Sequence, residues 1–468
     1  TAFILSINLN SHVVAVLGIV GGFLTPVLLS TGEDRTVAFF GYILVLNAGL
    51  IAVSLKQRWG YLMALGAAGT AIMQLGWAGE FFSGERTYTA MTIFGLFIAQ
   101  FLGAFLLARK REQLDKYIEG AALTIPGIAM CFMIWLGGSG PSEIADQAWP
   151  ICLFLMSVNS VVIFLAWLRP HLSAGVLLGT SASALAQFCW VQRCFEIEHL
   201  HMTMVILLVH SAAYLGLAWF TEKKERIADE CGWAALIFPA LAMFESLLAF
   251  TYPLAEVTTR PGVSFGFVFL IDAVLIAVAW LRPQMRSVQV FAGGASFFLL
   301  AYWIAEFLNN EMLFWALGFT IVFGVGHTIS PVLMERLRPA KSPVWWTHLF
   351  PPAALLMTLL PFFKLEQLSW AVWPVVILMD ALAMGVAVIL GSLVGFMWVF
   401  VITFFMAAVW IFRMPAEVGG LMGEFGMLVV VIGFAVIFFG AACAAMRWKI
   451  GTLKFDMSAP AKEAGDEW

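Results

Sequence analysis

Charge is what this sequence has least of. Asp, Glu, Lys and Arg fill 12% of its 468 positions, against about a quarter in a soluble globular chain. With 62% of residues hydrophobic, too little polar material remains to cover a water-facing surface. Other absences narrow the field. The six cysteines form no CxxC pair, and most fall inside apolar runs, so they read as small buried hydrophobes rather than metal or redox ligands. No GxSxG, HExxH or phosphate-loop pattern occurs, so no nucleophile, base and orienting group can be assembled into a catalytic site. The basic residues sit in short turns rather than on one face, which speaks against nucleic acid as a partner. Long apolar runs without alternation exclude barrel strands. No charged region precedes the first apolar stretch, so that stretch is not expected to be a signal peptide. No cofactor and no metal site is expected.

What is present is a succession of apolar runs of roughly 20 residues, each able to cross a bilayer core of about 30 Å as a helix. The fold class is therefore an all-α integral membrane protein. Charge, Gly and Pro delimit about 16 complete spans, near 13–30, 36–55, 60–80, 88–108, 117–137, 148–168, 172–192, 202–220, 232–251, 262–281, 287–307, 312–334, 346–363, 370–390, 393–411 and 425–446. Residues 2–9 read as the end of a preceding helix.

The spans repeat in fours. VVIFLAWLRPHLSAGVLLGTSASALAQFCW (Val161–Trp190) aligns with VLIAVAWLRPQMRSVQVFAGGASFFLLAYW (Val274–Trp303), and Leu50–Trp77 and Ala381–Trp410 follow the same frame more loosely. Within a unit of helices a, b, c and d, helix a carries a proline (Pro26, Pro126, Pro239, Pro351–Pro352). Helix b carries a polar residue near its middle (Asn47, Asn159, Asp272, Asp380), and helix c ends on a tryptophan (Trp77, Trp190, Trp303, Trp410). The polar residue precedes the tryptophan by 30, 31, 31 and 30 positions, and the period is about 112 residues. The expected divisions are 1–12, the end of a preceding helix and a turn; four repeats at 13–116, 117–229, 230–341 and 342–454; and a polar tail at 455–468. An even number of helices per unit gives every unit the same orientation, so the repeats are expected to be parallel, related by an axis along the membrane normal.

Basic residues follow this frame. The b–c and d–a turns and the tail hold 19 of the 25 Lys and Arg residues and the opposite face holds 6, which places the former turns and the C-terminal tail in the cytoplasm.

An ionisable side chain at bilayer depth costs at least about 2.5–3.5 kcal/mol on insertion scales, so it needs a partner or water. Asp272, Asp380 and the unit-specific Glu245, together with Asn47 and Asn159, are therefore candidates for a midplane site that binds a cation, a proton or a substrate group. The alternative is interhelical hydrogen bonding of about 0.6 kcal/mol each. No Lys or Arg shares that depth, so a carboxylate there is expected to be protonated or cation-bound. His210 and His327, in d helices, are candidates for a proton relay or hydrogen-bonded core residues. Three positions after each c-helix tryptophan stand Glu80, Arg193, Glu306 and Arg413, whose alternating signs predict outer-rim ion pairs between units, or else four solvated helix ends. The tryptophans themselves are expected in the interfacial aromatic belt. Glu196, Glu198, His199 and His201 crowd one outer loop without a metal-ligand spacing and read as solvated.

LGIVGGFLTPVLLSTGEDR (Leu17–Arg35) and FGYILVLNAGLIAVSLKQRW (Phe40–Trp59) resemble the bacterial polytopic membrane proteins grouped as domain of unknown function 2339. The resemblance implies a multi-pass protein of the bacterial inner membrane, with further spans and a charged coiled-coil segment upstream, and transfers no functional residue. The function expected is transport or translocation of a small solute or lipid through a polar site between repeats. The alternative is a non-catalytic scaffold or accessory subunit. Membrane lipids are the partners this implies, and other membrane-protein subunits under the scaffold alternative.

Overall fold

The structure, a computed structural model, describes residues 9, 11–29, 32–194, 196–252, 255–337, 346, 349–365, 371–390, 394–413, 428–429 and 431–440. Residues 1–8, Arg338, Lys341, Cys443, the side chain of Arg413 and the tail at 455–468 lie outside the described residues.

Every extended element among the described residues is a helix. In order they are α1 (His12–Leu28), α2 (Thr36–Gln57), α3 (Gly60–Phe81), α4 (Thr87–Lys110), α5 (Lys116–Ser139), α6 (Ala148–Leu168), α7 (Ala174–Cys194), α8 (Leu200–Lys224), α9 (Ala228–Thr251), the single turn α10 (Ala255–Thr259), α11 (Pro261–Leu281), α12 (Val288–Phe307), α13 (Leu313–Leu337), α14 (Phe350–Lys364), α15 (Val372–Leu390) and α16 (Val394–Arg413). Helices satisfy all backbone polar groups internally, which a chain this apolar requires in lipid.

Among the described residues, eleven helical segments are long and apolar enough to cross a membrane, where about 16 were expected. The stretches His12–Leu28, Phe350–Lys364, Val372–Val386, Met397–Trp410 and Val431–Gly440 are apolar but shorter. Proline lies inside α1, α5, α9, α13 and α14 without ending them. Four of the helices that run toward the basic turns end on cations: Lys56 in α2, Arg109 and Lys110 in α4, Lys223 and Lys224 in α8, and Arg336 in α13. Positive charge there complements the partial negative charge of a helix C-terminus.

The chain forms two compact units, Thr1–Leu241 and Ala242–Trp468. In the first, the proline-bearing α5 packs along α7 and α3. Small residues permit the approach: a Cβ on Gly137 would stand 2.6 Å from the Ala186 carbonyl oxygen. Phenylalanines fill the layer behind, with Phe94 stacked on Phe132 at 5.0 Å between ring centres and Phe40 edge-on to Trp77 at 5.5 Å. In the second unit the proline-bearing α14 likewise packs on α12 and α16. Side chains such as Phe404, Phe314 and Trp398 point outward and are exposed, as expected of faces meeting acyl chains.

The c-helix tryptophans depart from expectation. Trp77, Trp190, Trp303 and Trp410 are 5, 3, 0 and 8% exposed, so they are core residues and not an interfacial belt. Three indole N–H groups bind the segment leading into helix b. Trp77 donates to Thr36 Oγ1 at 3.1 Å, Trp190 to the Ile144 carbonyl at 3.3 Å and Trp303 to the Thr258 carbonyl at 3.0 Å. A buried indole needs such an acceptor, and the connecting segments supply it.

Candidate functional site

The polar residues of the b helices are buried, and their partners come mainly from the helix that follows. Asn47 Nδ2 on α2 donates to Thr70 Oγ1 on α3 at 2.7 Å, and Thr70 in turn donates to the Gly66 carbonyl at 2.7 Å. Asn159 Nδ2 on α6 donates to Ser183 Oγ on α7. Gly179 makes room for it, since a Cβ there would lie 2.5 Å from Asn159 Oδ1. Asp380 Oδ1 on α15 accepts from Thr403 Oγ1 on α16 at 2.8 Å. These three contacts are local hairpin bonds: a hydroxyl one helix on, 23 or 24 positions later.

Asp272 on α11 differs. Its Oδ2 lies 3.0 Å from Nε2 of His327 on α13, and both side chains are buried. The ring is turned off the line of a hydrogen bond, so the two groups are in contact without an aligned bond. The His327 ring packs against Phe350 at 4.9 Å. Its Nδ1 faces Gly293 of α12, where a Cβ would come within 3.0 Å. Asp272 Oδ1, His327 Nδ1 and Ser296 Oγ, one turn beyond Gly293, are all buried with no hydrogen-bond partner among the described residues. No Lys or Arg meets Asp272 among the described residues; the group beside it is His327, brought in from 55 positions away.

Glu245 on α9 is 8% exposed, and both its carboxylate oxygens are buried without a partner among the described residues. Its positional counterpart in α14, Thr358, donates to the Leu355 carbonyl at 2.7 Å. His210 on α8 is placed as a core residue. Its Nδ1 is 3.0 Å from the Ile206 carbonyl, its ring stacks on Phe238 at 4.2 Å, and Cys152 Sγ lies 3.7 Å away. Glu80, Arg193 and Glu306 are exposed. No ion pair joins Glu80 to Arg193 among the described residues, and the Glu306 backbone carbonyl accepts from Lys364 Nζ at 3.2 Å. The rim ion pairs expected from alternating sign are replaced, at Glu80 and Arg193, by solvated helix ends, because both side chains point outward. His199 lies 3.4 Å from Asp146. Among the described residues no three His, Cys, Asp or Glu side chains gather as metal ligands.

Two polar clusters at the helix ends went unseen in the sequence. At the basic end Glu119, on α5, receives Arg169 Nε at 2.7 Å and His171 Nε2 at 2.8 Å. At the other end Asp34 is held by Thr36, Trp77 and Arg86. Burial would raise the Asp34 pKa, but the hydrogen bonds from Thr36 and Trp77 and the Arg86 charge outweigh it and hold the carboxyl below its ordinary value. The distant partners of the two carboxylates, Trp77 and Arg86 for Asp34 and Arg169 and His171 for Glu119, stand 43 to 52 positions away in the chain.

Together the apolar spans and the buried polar contacts between them define a polytopic helical membrane protein. The sequence model of a family described as predicted membrane protein (DUF2339) matches residues 1–244, more than half of the chain, and the chain belongs to that family. No curated protein and no solved structure matches it.

Proposed function

We propose that this is a transporter or translocation protein that moves its solute by way of a proton-accepting site at Asp272 and His327. The observation that carries the reading is the pair itself: an acid and an imidazole on different helices, 3.0 Å apart, buried, with further unpartnered polar atoms on Asp272, His327 and Ser296. Buried polar groups kept for stability alone are normally satisfied, and intramembrane ionisable groups are costly to retain. Asp380 and Glu245 are the further ionisable candidates of this reading, although Asp380 makes a hairpin bond as Asn47 and Asn159 do.

The four-unit, parallel organisation with 16 spans belongs to this proposal. It is supported by a feature common to all units. A hydroxyl residue, Thr70, Ser183, Ser296 or Thr403, stands seven positions before each c-helix tryptophan. The basic turns are taken as cytoplasmic and the membrane as the bacterial inner membrane, supported by the 19 to 6 division of Lys and Arg.

The test uses purified protein in liposomes holding the pH dye pyranine, given a panel of amino acids, sugars and organic acids. At least one solute should drive proton entry with the wild type and none with Asp272→Asn or His327→Gln, while both variants stay monodisperse. If no solute moves protons, or if the variants merely fail to assemble, the reading is wrong. The scaffold reading has one observation in its favour: the grooves beside these helices, such as that bounded by Thr328, Leu333, Leu378 and Leu382, are lined almost wholly by apolar residues and do not include Asp272 or Glu245.

A further inference from the structure

An open groove of about 490 Å³ runs between α6 and α8 within the first unit. One face of α6 lines it from Met156 through Asn159 and Phe164 to Trp167, and α8 lines it with Ala213, Leu217 and Phe220. From Met156 to Trp167 is eleven positions, or about 16 Å of helix at 1.5 Å per residue. That is close to half of a hydrocarbon core of about 30 Å. The groove therefore reaches from the level of the buried Asn159 to the end of the helices at the basic face, the depth of one leaflet.

Its mouth is aromatic and cationic. The Trp167 and Phe220 rings meet at 5.4 Å, and the Arg226 guanidinium lies over Trp167 at 5.3 Å. Lys224 stands four positions after Phe220 and seven after Leu217, so helical spacing continues the groove-lining face of α8 onto an exposed cation. Of the neighbouring acids, Glu222 has its Oε2 buried, and Glu225, exposed and left-handed, ends α8.

We propose that this groove binds an anionic phospholipid from the leaflet at the basic face. One acyl chain lies along Phe164 and Leu217, and the phosphate sits between Lys224 and Arg226. The apolar length matches a chain, the tryptophan sits where a glycerol backbone would be, and a basic pocket beside membrane helices selects an anionic headgroup. This inference does not depend on the proposed transport, since Asp272 and His327 take no part in it.

The test is native mass spectrometry of the full chain in detergent, titrated with palmitoyl-oleoyl phosphatidylglycerol or the phosphatidylcholine of the same chains. Each cation near a membrane surface is worth about fivefold, so phosphatidylglycerol should be retained about 25-fold more tightly. Lys224→Glu with Arg226→Glu should bring it down to the level of phosphatidylcholine. Ala213→Phe, at an exposed position inside the groove, should weaken both lipids. A control pair elsewhere on the basic face, Lys110→Glu with Arg111→Glu, should change neither. Equal retention of the two lipids by the wild type, which needs no variant, would overturn the proposal. So would an effect of the control pair as large as that of the groove pair, since the binding would then be general electrostatics.

Discussion

At the scale of single residues, burial decides what a polar side chain can be. Asp34 and Glu80 both stand near the ends of spans on the same face, yet Glu80 is exposed and Asp34 is enclosed by Thr36, Trp77 and Arg86. The consequence for Asp34 is a pH dependence of known sign. An unfolded aspartate titrates near pH 3.9, and the folded value is lower. The folded chain therefore holds fewer protons than the unfolded one in that window. The stabilisation is complete above the unfolded value and is lost as pH falls through the folded value. Asp34→Asn should melt below the wild type at neutral pH, and the difference should shrink below about pH 4. Melting curves of the two proteins in detergent across this range would show it, and a gap that widens with acid would contradict the assignment. The buried pair is a second lesson at this scale. Asp272 was legible as an ionisable residue at depth, and so was His327, but their meeting was not. Nothing in an apolar helix records which face of a helix 55 positions away it will touch.

At the scale of elements, the repeated landmarks were readable and their roles were partly misread. A tryptophan near a span end suggests the interface by composition alone, but Trp77, Trp190 and Trp303 bury the ring and bind the segment before helix b. The hydroxyls that pair with Asn47, Asn159 and Asp380 are not evident in the sequence because Thr and Ser inside a membrane helix usually bond their own backbone, as Thr124 does to Gly120. Helix contact is where the glycines matter. Gly137 of α5 meets the backbone of α7, with a would-be Cβ 2.6 Å from the Ala186 carbonyl oxygen and 3.1 Å from the Trp190 nitrogen. Neither is a side chain that could swing aside, so Gly137→Ala must push two helices apart. Overpacking of this kind costs about 1–3 kcal/mol. Gly127 lies on the same helix with nothing within 4 Å of its would-be Cβ. Gly127→Ala should therefore be neutral or stabilising by up to about 1 kcal/mol. Thermal unfolding of both variants in one detergent separates them, and equal melting temperatures would mean that α5 and α7 do not pack this closely.

At the scale of the whole molecule, what the sequence stated most clearly is polarity across the membrane, and it is also the most open to direct test. Helix α4 holds 24 residues, or about 36 Å at 1.5 Å per residue, enough to cross the hydrocarbon core with its ends in opposite headgroup layers. Glu85 precedes it and Glu112 follows it; both are exposed. In the orientation proposed from the division of 19 Lys and Arg against 6, Glu112 is cytoplasmic. A membrane-impermeant maleimide should then label Glu85→Cys in intact spheroplasts and Glu112→Cys only in inverted vesicles. The labelling is done in a background with all six native cysteines replaced by serine, since Cys131 is exposed and Cys189 half-buried. The two positions are joined by one helix, so they must give opposite results whichever way the chain inserts. Labelling of both from one side would mean that α4 does not cross, and the even count of helices per unit would fail with it. Labelling with the two sides exchanged would leave the helices as they are and reverse only the assignment of the basic face, placing Lys224 and Arg226 in the outer leaflet.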